Sequence, residues 1–223
     1  MEDARAYEEL RVGFTAAVSH ELRTPLARLA ALLDSASLPD VDHDALIAQA
    51  REQVEEMSEL VDDVLFLSEL ESGREVVALG ATLAGPVLEA ARDRLSDSAE
   101  RADVEILIDA SPDAELPLRR RMLQIVVENL TENAIRYGGP GTTLRLIARP
   151  GVLEAADDGR GVDEDEVPRI FERFFRSDRA RASRGTGLGL AIVKHVVVAA
   201  GGEVEASGGP GRGLRIHCRF PAP

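Results

Sequence analysis

Residues 128–138, ENLTENAIRYG, put Asn129 and Asn133 four positions apart within a run of helical period. At that spacing both amides share one face of a helix. A neutral amide oxygen can take one coordination place on Mg²⁺ while phosphates and water fill the others. Arg136 and Tyr137 follow within a turn, where a cation reaches a phosphate and a phenol closes over it. An asparagine pair in a helix is more often a solvated face or a cap, so this stretch decides the fold only together with what surrounds it.

Three companions follow in order. In DDGRGV, residues 157–162, Asp157 ends an expected strand, and Gly159 and Gly161 let the backbone turn and approach a ligand. A carboxylate at the base of such a pocket can accept a hydrogen bond from an exocyclic amine such as that of adenine. In IFERFFRSD, residues 170–178, Phe171, Phe174 and Phe175 sit among Arg173 and Arg176, and a polar, arginine-rich stretch reading as a mobile loop comes next. Then GTGLGLAI, residues 185–192, places Gly185, Gly187 and Gly189 around Leu188 at the start of a helix. Freed amides and the positive end of a helix suit a phosphate chain. The stretch is not a Walker sequence, since no G-x-x-x-x-G-K-[ST] is present, nor a dinucleotide fingerprint, since a polar loop rather than a strand precedes it.

Around these signals, strands are expected at VEILID, TTLRLIAR, VLEAADD, GEVEAS and LRIHCRF, and helices at LAGPVLEAARDRL, RRRMLQIVVENLTENAIRY and LGLAIVKHVVVAA. Strands and helices mixed without strict alternation predict an α/β sandwich, a sheet covered by helices on one face. The first third is different. Leu10, Phe14, Val18, Leu22, Leu26, Leu29 and Leu33 recur at three- and four-residue steps, then turn formers at residues 35–44 interrupt. A second helix is expected from about Ala45 to Glu71, with Leu46, Ala50, Val54, Met57, Val61, Val64 and Leu67 as its stripe and Gly73 as its cap. Two helices alone bury little of two such stripes, so a homodimeric four-helix bundle is expected. The boundary falls near Gly73–Val77, giving domains 1–75 and 76–223.

Composition narrows the classes. A net charge of −14 argues against a nucleic-acid groove or an anionic membrane surface. Cys218 is the single cysteine, so no intrachain disulfide forms; a reducing compartment and a buried thiol are expected. No apolar run reaches the roughly 18 residues of a membrane span.

On the first helix lies VSHELRTPLARL, residues 18–29, with His20 beside Ser19 and Glu21 and with Pro25 five positions on. This box, with the N-x-x-x-N-A, D-x-G-x-G, F-x-R-F-F-R and G-T-G-L-G-L set, resembles the sensor histidine kinases, the kinase branch of the Bergerat-fold ATPases, over about residues 10–220. The resemblance implies ATP and Mg²⁺ as cofactors. Asn133 would hold the metal, Asn129 would lie near the phosphates, and Arg136 and Tyr137 would line the site. Asp157, shaped by Gly159 and Gly161, would read adenine. Gly185, Gly187, Leu188 and Gly189 would take the phosphates beneath a lid at about residues 173–185, and Arg176 would neutralise the transferring phosphoryl group. His20 would be the nucleophile and Glu21 its base. Thr24, on the same face, would help place a phosphatase water. The partner would be a response-regulator receiver domain read by residues such as Arg28 and Ala31, and the chain would be a cytoplasmic part of a parent anchored in a membrane.

Pro25 removes the amide partner of the Glu21 carbonyl, so a bend after His20 is expected. The chain departs from the family pattern at Leu118, where an aspartate cap is common, and in the two-residue Pro150–Gly151 link. Two other readings stand beside the kinase: a Bergerat-fold ATPase or serine kinase, and a catalytically dead dimer that binds a partner or nucleotide.

Overall fold

The computed structural model describes residues 2–38, 41–72, 80–177 and 185–221, with residues 2–14 and 71 described by backbone only. The expected cap at Gly73, the side chains of Leu10 and Phe14, and residues 178–184 of the lid segment lie outside that description. The chain divides into two compact units, Met1–Phe66 and Leu67–Pro223.

The first unit is helical. Helix α1, Glu2–Ser35, runs through Pro25 without a break, and helix α2 is His43–Glu71. It opens two residues earlier than its apolar stripe suggests, because Asp42 Oδ1 accepts the Ala45 amide at 3.0 Å and caps the end. His43, expected in the loop, is therefore the first helical residue. Pro25 and Leu60 are buried, whereas Leu26 and Leu33 on α1 and Ile47, Val54, Val61 and Leu65 on α2 are exposed. Leu26 and Leu33, like Ile47, Val54 and Val61, recur at seven-residue steps, the period of a helix-packing seam.

The second unit is a sandwich of sheet and helices. Its elements are β1 (Thr82–Leu83), α3 (Gly85–Ala102), β2 (Val104–Ala110), β3 (Glu115–Leu116), α4 (Arg120–Tyr137), β4 (Thr142–Arg149), β5 (Val152–Asp157), a 3-10 turn at Val167–Arg169, α5 (Gly189–Ala199), β6 (Glu203–Gly208) and β7 (Leu214–Arg219). The main sheet has five strands in the order β2-β4-β5-β7-β6; β2 and β4 are parallel and the other pairs antiparallel. The parallel pair needs a crossover, and α4 supplies it. The small β1–β3 pair escaped the sequence reading because two-residue strands carry no period.

Alternation decides the two faces of the sheet. Leu144, Leu146, Ala148, Leu153, Ala155, Ile216 and Cys218 are buried, as are Leu88 of α3, Val126, Val127 and Leu130 of α4, and Ile192, Val193 and Val196 of α5. Each buried leucine, isoleucine or valine among them contributes about 1.5–3 kcal/mol by leaving water, so a core without tryptophan is adequate. The opposite face is polar: Glu154 takes Arg215 at 3.2 Å and His217 at 3.0 Å. Leu118, in place of an aspartate cap, is fully buried, so that position serves packing. The Pro150–Gly151 link forms the expected tight β4–β5 hairpin, with Gly151 at φ +70°.

Candidate active site

In the second unit, α4 presents one face to the glycine loop that precedes α5. Oδ1 of Asn129 lies 2.5 Å from where a β-carbon on Gly189 would sit, while its Nδ2 donates to the Ile125 carbonyl at 2.9 Å. Two turns on, the Tyr137 hydroxyl and Arg136 Nη1 lie 2.6 and 2.8 Å from the corresponding point on Gly185. Backbone of residues 185–189 is thus held against the face of α4 that carries the amides, and no side chain fits at the two glycines that touch it. Asn133 is half-buried on that face, one turn beyond Asn129. Leu188 is buried and its amide donates to Thr186 Oγ1 at 3.2 Å, which orients the loop just before the helix opens.

The end of α4 meets the strand-end loop. A β-carbon on Gly159 would lie 2.6 Å from Gly138, and the Arg160 amide donates to the Gly138 carbonyl at 2.9 Å. Asp157, half-buried at the end of β5, accepts the amides of Gly159 at 2.9 Å and Leu214 at 3.2 Å. Both bonds fall on Oδ1, which orients the carboxyl and leaves Oδ2 as the acceptor for a ligand. Burial pushes this carboxyl above the ordinary aspartate range; the two amides pull it down and the Asp158 charge pushes it up.

One neighbour of the Asp157 loop was not foreseen. Residues 208–213, GGPGRG, turn between β6 and β7 and pack on the Asp157 loop: the Gly213 amide donates to Gly159 O at 3.1 Å, and the Gly211 amide to Arg160 O at 2.8 Å. A methyl group on Gly213 would run into the Asp157 carbonyl, and one on Gly161 into the Gly209 carbonyl. The four glycines in six residues were the available signal. Arg176 follows Phe174 and Phe175, whose backbone touches Gly187, so the FFR stretch reaches the same glycine loop.

The residues present suit a nucleotide. Amides at 185–189 and the N-terminus of α5 suit a phosphate chain, a desolvated carboxylate suits an amine-bearing base, and the α4 face offers amide oxygens to a hard cation.

In the first unit His20 is well exposed, and its Nδ1 lies 3.4 Å from Glu21 Oε1, a long contact. An open groove of about 490 Å³ follows one face of α1 and is lined by His20, Arg23, Thr24, Ala27, Arg28 and Ala31. His20, Thr24, Arg28 and Ala31, singled out separately in the sequence, therefore line one surface.

Residues 10–73 match the His Kinase A (phospho-acceptor) domain, and residues 119–223 match the histidine kinase-, DNA gyrase B- and HSP90-like ATPase family. Across 96% of the chain, residues are 37% identical to the phosphate regulon sensor protein PhoR of Pseudomonas aeruginosa, of which they cover 50%. The mycobacterial sensor histidine kinase MprB, 30% identical, aligns with 64% of this chain and 97% of its own at a TM-score of 0.56. The chain belongs to the sensor histidine kinases. Histidine kinase AdeS of Acinetobacter baumannii, 26% identical, superposes on 90% of this sensor kinase chain with a TM-score of 0.73 and 97% of its own chain covered. The kinase chain spans about half the length of the curated relatives it matches. Among the described residues, no helix is long and apolar enough to cross a membrane.

Proposed function

We propose that the chain is an ATP-dependent protein-histidine kinase core, with a dimerising phosphoacceptor domain over residues 1–75 and a catalytic ATP-binding domain over 76–223. The observation that carries this is the convergence of the Asn129–Tyr137 face, the 185–189 loop and the Asp157 carboxyl in one unit, in a chain that also exposes His20. Asp157 accepts the adenine amine, the loop amides hold the phosphates, and Arg136, Tyr137 and Arg176 offset their charge. Mg²⁺ supplies further neutralisation of the phosphates, and Asn133 is the residue that would hold it. His20 attacks the γ-phosphorus through Nε2, since Nδ1 is turned toward Glu21. A P–N bond forms as the bond to the β-phosphate oxygen breaks, ADP departs, and Glu21 receives the Nδ1 proton. The phosphoryl group then passes to an aspartate of a response-regulator receiver domain docked along the Arg23–Ala31 groove. The exposed seven-residue stripes support a homodimer completed as a four-helix bundle. We assign the chain to the cytoplasmic part of a parent anchored in a membrane.

The test incubates the protein with Mg²⁺ and γ-labelled ATP beside His20→Gln. Acid-labile, alkali-stable label that His20→Gln lacks is the expected result. ATP binding without label would replace the kinase by a binding module or ATPase. Thr24 lines the groove next to His20, which favours a second activity, dephosphorylation of the phospho-regulator. Thr24→Ala is expected to slow that loss while leaving His20 labelling intact, and unchanged dephosphorylation would remove this role.

A further inference from the structure

The turn between β6 and β7 has little of its own to fix its shape. Residues 208–213 hold four glycines and a proline, and only Arg212 carries a polar side chain. Gly211 and Gly213 are at φ +68° and +69°, a region that glycine enters freely and leaves as freely. Arg212 lies back across Gly209, where no β-carbon would fit, and its Nη2 donates to Glu164 Oε1. Glu164 stands in a turn closed by the Glu166 and Val167 amides, which donate to the Asp163 carbonyl at 2.9 and 3.3 Å. One ion pair thus ties the glycine turn to the segment that continues from the Asp157 loop.

Both partners are exposed, and such a pair ordinarily contributes little to stability. Its place is what matters. Two residues beyond Arg212, the Leu214 amide donates to Asp157 Oδ1 at 3.2 Å. That length is at the end of the ordinary range, so a small shift of the turn breaks the bond. We propose that Arg212 and Glu164 are positioning residues for nucleotide binding: their ion pair sets the β6–β7 turn so that the Leu214 amide orients the Asp157 carboxyl toward the base. This rests on the reading of Asp157 as the acceptor for the adenine amine. Without the pair, the turn gains the freedom its glycines allow, and the Gly159 amide alone holds Oδ1. The carboxyl then samples other orientations, and fewer molecules offer Oδ2 to the base. The lost amide also favoured the charged carboxylate, so Asp157 takes up its proton at a higher pH.

Arg212→Gln, Glu164→Gln and the double variant are compared with the unaltered protein by calorimetry. The probes are ADP with Mg²⁺ and tripolyphosphate with Mg²⁺, which has no base. ADP binding is expected to weaken about three- to tenfold in each single variant and no further in the double. Tripolyphosphate binding should stay unchanged, and Arg212→Lys, which keeps the charge, should retain most of the ADP affinity. On acidification, ADP affinity should begin to fall at a higher pH in Arg212→Gln than in the unaltered protein. Equal ADP affinities in Arg212→Gln and the unaltered protein would overturn the proposal. So would a loss that Glu164→Gln does not share, because Arg212 would then touch the nucleotide itself. An equal loss of tripolyphosphate binding would also overturn it, by showing a general disturbance of the unit. If the unaltered protein fails to bind ADP at all, the nucleotide reading falls and takes this proposal with it.

Discussion

Asp157→Asn separates what the carboxyl does for binding from what it does for folding. Asparagine keeps an oxygen to accept the Gly159 and Leu214 amides at 2.9 and 3.2 Å, so the loop geometry survives. At the outward position, however, an amide NH₂ replaces Oδ2 and would face the adenine amine donor to donor. Losing a hydrogen bond to a charged acceptor costs about 1.5–3 kcal/mol, or roughly 10- to 150-fold in nucleotide affinity. Folding should respond in the opposite sense. The Asp157 pKa is raised in the folded protein, chiefly by burial. Its stability contribution is thus fully present below the unfolded pKa and lost as pH rises through the folded one. Near neutral pH the ionised form is a burden on the fold, and the neutral amide removes it. The expected outcome is a melting temperature equal to or above that of the unaltered protein, with ATP affinity at least tenfold weaker by calorimetry. Retained affinity, or weakened affinity with a lower melting temperature, would refute the assignment of Asp157 to the base. In the unaltered protein, affinity should begin to fall on acidification at a pH above the ordinary aspartate range.

Gly213→Ala should destabilise the second unit by about 2–5 kcal/mol in denaturant melts, because the methyl meets the Asp157 carbonyl at φ +69°. The proposed homodimer predicts that the unaltered protein is dimeric by light scattering and that Val54→Glu is monomeric with helicity retained, since Val54 lies on the exposed stripe of α2. Burial pushes the Cys218 thiol up to about 12, so native protein at pH 8 should resist a thiol reagent that labels it at once in denaturant.

The residues proposed for the site were legible early because periodicity and glycine are local signals. Asn129 and Asn133 share a helical face through spacing alone, and GTGLG must precede the helix whose amides it extends. Helix limits were less legible: α2 begins at His43 because Asp42 caps it, and α3 runs on to Ala102 through a polar stretch without a strong apolar cue. Pro25 predicts a lost hydrogen bond, yet α1 carries it within one continuous helix.

By itself, then, the sequence determined the element types and the two kinds of domain, and it named the side chains proposed for the nucleotide site. Only the tertiary structure decided which backbones touch. That the 208–213 turn packs on the Asp157 loop depends on β7 lying beside β5, a pairing between residues some sixty positions apart that no local period encodes. Phe174 is likewise an ordinary aromatic in the sequence, and only the fold shows it left-handed, at φ +62°, with its amide on the Gly187 carbonyl. Long-range hydrogen bonds and close backbone approach are properties of the assembled fold, and a one-dimensional pattern has no term for them.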